Sequence, residues 1–219
     1  MLEPDGIKLT RAQQAARYAY RRALEKAVRS VSKGSSWRST QGCLFGERSG
    51  WFLSVCPAVF IDRYRTDVQV TAKPMSIDPI FWDIVGLPEN RDMPLSFRLL
   101  GAWTCRPPAF AEVEVEERED VEDAAIQILK TADEQVHAVL SWGIEGFLQS
   151  CAENGADAYS YMAPEVCALI AIGRLPEALK ICKSAHKAGE TGGFTAPAGS
   201  FAGMAISWLD RSLNAATRH

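Results

Sequence analysis

An α+β fold, with an antiparallel sheet of about five strands and helices before and after it in the chain, is what this sequence predicts. Two observations carry the prediction. Between Ser36 and Glu117 apolar residues recur with period two, whereas over 10–33 and 121–216 they recur with a period of about 3.6. The breaks between the apolar segments hold turn residues, such as Glu47-Arg48-Ser49-Gly50, Asp62-Arg63 and Asn154-Gly155. The resulting division is an α+β sheet domain over 1–118 and a helical region, packed on it or beside it, over 119–219.

The elements follow in order. Thr10-Arg11-Ala12-Gln13 spells a capping box, so a helix starts there and runs to about Val31. Ala16, Tyr20, Ala23, Leu24, Ala27 and Val31 form its expected packing side, and Arg11, Arg22, Lys26, Arg29 and Lys33 form a basic stripe opposite. Strands are expected near 36–47, 51–61, 65–74, 96–106 and 110–117. The third alternates cleanly, with Val68, Val70 and Ala72 on a dry face and Asp67, Gln69, Thr71 and Lys73 on a wet one. Pro57 marks the second strand as an edge, or as bulged there. A short helix is expected over 79–85, with Asp78 as N-cap and Gly86 and Pro88 ending it. Ile80, Phe81, Trp82, Ile84 and Val85 make that helix apolar nearly all round, so it must be covered.

The rest reads as helix. Val121, Ala125, Ile128, Leu129, Ala132, Val136, Val139 and Leu140 form one stripe, with a bend expected between Trp142 and Gly146. Further helices are expected at 159–172, at 175–188 and after Phe201, with a glycine-rich loop from Gly189 to Gly199. Ala168 to Leu179 is similar to one helical hairpin of the tetratricopeptide type. No second copy follows at a fixed period, so a hairpin within a bundle is the expectation.

Composition narrows the functional classes. A formal charge of −3 disfavours whole-protein attraction to nucleic acid or to an anionic membrane. No apolar run approaches the ~20 residues of a bilayer span, and the acidic start Met1-Leu2-Glu3-Pro4-Asp5 is not a secretory signal, so a cytoplasmic protein is expected. Six cysteines without a C-x-x-C pair then read as six small buried hydrophobes in a reducing compartment. The three histidines are scattered, which leaves no metal motif.

Catalytic and cofactor motifs fail on spacing. The loop from Gly189 to Ser200 lacks Gly-Lys-Ser/Thr and follows a helix, so it is not a phosphate-binding loop. Gly46-Glu47-Arg48-Ser49-Gly50 has its serine one place too late for a nucleophile elbow. No cofactor is expected. Charge, however, is segregated. Residues 1–38 hold nine basic against three acidic side chains, and residues 112–134 hold ten acidic against two basic. These regions can attract each other within the fold or between protomers of a homo-oligomer, or the stripe can take an acidic protein. Nucleic acid is disfavoured, because only Tyr18 interleaves the cations.

Lys73-Pro74-Met75-Ser76-Ile77-Asp78-Pro79-Ile80-Phe81-Trp82-Asp83-Ile84, with Leu87-Pro88-Glu89-Asn90, Pro94 to Arg98 and Gly101-Ala102-Trp103, resembles bacterial α+β families of unknown function. Some of these are similar to toxin-immunity proteins. Over residues 10–117 the resemblance implies a bacterial, non-catalytic, immunity- or adaptor-like protein that binds another protein. Arg22, Lys26, Arg29 and Trp82 are its candidate partner-binding residues, although Trp82 reads first as a core anchor. The alternative is a hydrolase-like enzyme using Asp78, Asp83 or the acidic strand.

Overall fold

The computed structural model describes residues 9–61, 65–100, 103–115, 120–154 and 159–216. It is an α+β protein: five strands, β1 (Arg38–Thr40), β2 (Cys43–Arg48), β3 (Trp51–Val59), β4 (Thr66–Pro74) and β5 (Ala109–Val115), form one antiparallel sheet in that order. Helix α1 (Arg11–Val31) precedes it. Between β4 and β5 lie α2 (Ile77–Val85), a 3₁₀ turn (Pro88–Asp92) and α3 (Phe97–Leu100). After it come α4 (Val121–Glu153), α5 (Met162–Ala171), α6 (Leu175–Lys187), a small ribbon of β6 (Thr195–Ala196) and β7 (Gly199–Ser200), and α7 (Phe201–Ala216). The chain divides into two compact units, one of residues 1–48, 53–71 and 109–139, the other of 49–52, 72–108 and 140–219.

In the first unit α1 begins as its sequence dictates. The Thr10 hydroxyl accepts from the Gln13 amide at 3.3 Å, and the Gln13 side chain accepts from the Thr10 amide at 2.9 Å. Its inner stripe differs from the expectation. Arg17, Leu24 and Val28 are the buried residues, while Ala16 faces solvent and Tyr20, Ala23, Ala27 and Val31 are half-buried. The reason is polar. The Arg17 guanidinium turns inward to donate to the carbonyls of Phe60 and Arg65, at 2.8 Å each, where β3 gives way to β4.

The expected first strand, 36–47, is in fact two strands. Gln41 (φ 49) and Gly42 (φ 77) form a tight turn that pairs Thr40 with Cys43. Ser49 (φ 48) and Gly50 (φ 80) repeat it between β2 and β3. Positive φ at both central residues matches the right-handed twist of the flanking strands. Pro57 therefore lies in a central strand, not at an edge. Counting back through the second turn sets it opposite Gly42, beyond the end of β2, where no ladder bond is owed on that side. β4 pairs with β5 from Thr66↔Val115 to Thr71↔Ala109, with a bulge at Val70/Thr71. The buried positions Thr66, Val68, Val70 and Ala72 keep the predicted alternation.

In the second unit the described residues of the expected strand at 96–106 form no strand: α3 takes Phe97–Leu100 and residues 103–106 are loop, while 101–102 lie outside the described residues. α2 is buried nearly all round, as its composition requires. Phe81 stacks on Phe201 with ring centres 5.6 Å apart and meets Phe194 edge-on at 5.3 Å. Trp82 lies beside Phe97 at 6.1 Å and donates its indole N–H to the Trp103 carbonyl. Asp78 is not the N-cap. Ser76 holds that position without a side-chain bond, and Gly86 closes the helix at φ 77. The bend expected after Trp142 is a break at Gly143 (φ 65, ψ −177). α5 and α6 form the expected hairpin around Gly173 (φ 78). Among the described residues no helix is long and apolar enough to cross a membrane.

The glycine-rich loop supplies a stability test. At Gly192 (φ +75) an added Cβ would stand 2.1 Å from Met162 Cε, whereas at Gly193 (φ +75) it would meet nothing within 4 Å. Gly192→Ala is expected to cost about 2–4 kcal/mol, combining overpacking with backbone strain. Gly193→Ala carries strain alone, about 1 kcal/mol. Urea denaturation of the two variants measures the difference.

Candidate functional site

Two features concentrate charge, one exposed and one buried. The exposed feature is the outer side of α1. At about 100° per residue, Arg11, Tyr18, Arg22, Lys26 and Arg29 fall within an arc of roughly 80°. All five are exposed, and Tyr18 keeps 51% of its surface open. The eighteen steps from Arg11 to Arg29, at ~1.5 Å each, make this stripe about 27 Å long. Arg21 holds Glu25 at 3.1 Å, yet among the described residues no carboxylate bonds Arg11, Arg22, Lys26 or Arg29. The pairing anticipated with the acidic segment is not made within this unit's described residues. There Glu112 accepts from Gln69 at 2.9 Å, Glu114 lies 3.8 Å from Arg65, and Asp133 accepts from the Trp37 indole at 2.8 Å.

An unpaired stripe is a local cost. Like charges at i,i+4, as at Arg22 and Lys26, destabilise a helix by a few tenths of a kcal/mol. Arg11 in the first turn, which contains no acid, opposes the helix dipole. The capping box and the inward Arg17 hold the helix in place despite this.

The buried feature lies in the second unit. Lys73, read as a wet-face residue, is only 1% exposed, because the segment after β4 covers that side of the strand. Its ammonium donates to Asp78 Oδ1 at 2.9 Å, to the Arg98 carbonyl at 3.0 Å and to the Cys105 carbonyl at 2.7 Å. All three protons are used. Asp78, fully buried, also accepts from the Cys105 amide at 3.1 Å on Oδ1 and from Arg98 Nη1 at 2.7 Å on Oδ2. Arg98 donates to the Met75 carbonyl at 3.1 Å and lies over the Trp82 ring at 5.2 Å. Burial pulls the Lys73 pKa below its ordinary value, and Asp78 opposes that pull.

No protein-family model, curated protein or solved structure matches this chain. The geometry alone therefore carries the functional reading.

The sequence-derived candidates separate cleanly. Arg22, Lys26 and Arg29 stand together on the exposed stripe, whereas Trp82 is a core residue, 1% exposed, as its anchor reading expects. Of the acids offered for hydrolysis, Asp78 has both oxygens bonded inside the protein. Asp83 pairs with Arg91 at the surface, and Glu112 and Glu114 point outward from β5. Among the described residues no group of three His, Cys, Asp or Glu side chains could hold a metal ion.

Sequence reasoning missed two further features. A cavity of about 430 Å³ is lined by residues that include Tyr159, Glu165, Glu177, Lys180 and Ser184. Burial pushes the Glu165 carboxyl above its ordinary 4.5. The cysteines are also not alike. Cys43 and Cys56 form a disulfide, whereas Cys105, Cys151, Cys167 and Cys182 are buried free thiols. The turn at Ser49-Gly50, which opposes Cys43 to Cys56, was the available signal.

Two outcomes are expected. Asp78→Ala strands the Lys73 and Arg98 cations in the interior and should cost about 3–5 kcal/mol in urea denaturation, whereas Asp83→Ala at the surface should cost under about 1 kcal/mol. Glu165 keeps its proton in the folded state above pH 4.5, so its stabilising contribution is complete below that pH and is lost as pH rises through the folded value. Glu165→Gln should therefore flatten the fall in melting temperature on that flank, as followed by calorimetry across a pH series.

Proposed function

We propose that this protein is a non-catalytic binding module, adaptor- or immunity-like in role, that takes an acidic protein segment on the outer face of α1. The observation that carries the reading is the exposed stripe Arg11, Arg22, Lys26 and Arg29, unpaired among the described residues, with Tyr18 among the cations. Four cations along one side of a capped helix present a linear positive field. An acidic strand or helix of similar length satisfies that field with charge-assisted bonds. Tyr18 adds an amphipathic contact near the middle, of the kind enriched in interfaces.

The buried chemistry supports the same reading. The Lys73, Asp78 and Arg98 groups are engaged with one another and with carbonyls, so their charge serves the fold. Hydrolysis through Asp78 would require a free oxygen that the cluster does not leave.

Binding of a labelled Asp/Glu-rich peptide tests the proposal. Affinity should fall steeply as salt rises from about 50 to 300 mM. The combined variant Arg22→Glu, Lys26→Glu and Arg29→Glu should lose at least about tenfold in affinity, roughly 1.4 kcal/mol, at an unchanged melting temperature. A single-stranded RNA of matched charge serves as the second arm. Preferential binding of the RNA, or peptide binding indifferent to the triple reversal, overturns the reading.

A further inference from the structure

The sheet sets Cys43 and Cys56 face to face before any bond is considered. Ser49 and Gly50, both at positive φ, connect β2 to β3 with a two-residue turn. Counting back from Arg48 opposite Trp51 brings Cys43 opposite Cys56. Their Cα atoms are 4.3 Å apart, which is the spacing of directly opposed residues at a non-hydrogen-bonded position of an antiparallel ladder. The two sulfurs thus stay neighbours whether joined or not, and the pair can close again intramolecularly.

Access divides the cysteines. Cys43 and Cys56 are half-buried, so a small reagent can reach them. The other four are buried. Burial raises the thiols of Cys151 and Cys167, and that of Cys182 to about 12, which leaves these three protonated and unreactive near neutral pH.

From these observations we propose that Cys43–Cys56 is a reversible thiol–disulfide exchange site whose reaction partner is a dithiol or a small monothiol. An incoming thiolate attacks one sulfur of the pair. The Sγ–Sγ bond breaks, a mixed disulfide forms, and the released cysteine thiolate takes up a proton. A second thiol, from the same dithiol or from a second monothiol, then attacks the mixed disulfide. The reagent leaves as its own disulfide, and Cys43 and Cys56 are both thiols. Two electrons pass from reagent to protein, and an oxidised dithiol runs the sequence backwards. The exchange makes or breaks a covalent cross-link between β2 and β3 at the end away from their turn. That tie lies beside Gly42, where a Cβ would stand 2.7 Å from Glu25 Cγ, so it sits under the helix that carries the basic stripe. The proposal does not depend on the acidic-partner reading.

The test uses the folded full chain. The protein is equilibrated in buffers of graded reduced and oxidised dithiothreitol, and separately of glutathione. Each sample is alkylated at neutral pH without denaturant by a large excess of a fast maleimide, then quenched and mapped by mass spectrometry, with circular dichroism confirming the fold. The expected result is that labels on Cys43 and Cys56 appear together as the buffer becomes reducing and vanish together on re-oxidation. The four buried thiols stay unlabelled throughout. Glutathione should add a transient single adduct at one of the pair, and dithiothreitol none that persists. In Cys43→Ser, Cys56 should label in every dithiothreitol buffer. If the wild-type pair stays unlabelled until guanidinium unfolds the chain, the bond is an inert cross-link and the proposal fails. If both cysteines label in the most oxidising buffer, no bond forms and it fails equally.

Discussion

The second unit is organised around one ammonium group. Lys73, next to last in β4, carries a charge that its burial makes costly, and the chain that follows is arranged to satisfy it. α2 contributes the Asp78 carboxylate, α3 contributes the Arg98 carbonyl and guanidinium, and the loop before β5 contributes the Cys105 carbonyl and amide. An isolated charge in that position would be worth several kcal/mol of desolvation, so each contact depends on the others. This accounts for residues 96–106 not forming the expected strand. A strand would spend its carbonyls on a neighbouring ladder, whereas here two of them point at Nζ. It also accounts for Asp78 abandoning the N-cap position, since its oxygens serve cations and an amide elsewhere.

The first unit applies a similar device with a different outcome. Arg17 points inward, and its guanidinium binds two carbonyls at the β3–β4 connection. The remaining arginines and lysines of α1 point outward, and their stripe remains uncompensated among the described residues. A helix free of functional demands can distribute acids among its outer cations and gain a few tenths of a kcal/mol per pair. On α1 only the Arg21–Glu25 pair among the described residues realises such a gain, and an arginine stands at the unfavourable end of the dipole. The cysteines show the same partition. Four are sealed in the second unit as packing, and two meet across a pair of strands at a partly open position.

The helices were legible because their signals are local. The Thr10–Gln13 box, the Gly86 and Gly173 caps and the Gly143 break act within a turn or two of chain, and each is realised where the residues indicate. The basic stripe was legible for the same reason, since helical periodicity decides which side chains share a face. The Gln41-Gly42 hairpin was missed because a two-residue turn interrupts the run from 36 to 47 only briefly. The disulfide was missed with it, since opposition across a ladder is a property of register and not of spacing in the chain.

The sequence by itself determined the α+β class with an antiparallel sheet of about five strands, the order and approximate ends of the main helices, and the face on which Arg22, Lys26 and Arg29 gather. Tertiary structure alone decided that Lys73 and Asp78 are interior, that Arg17 is turned inward and that Cys43 meets Cys56. The physical reason is range. Periodicity and caps are set by neighbours within a few residues, whereas the burial of a charge or the meeting of two sulfurs depends on chain up to dozens of positions away.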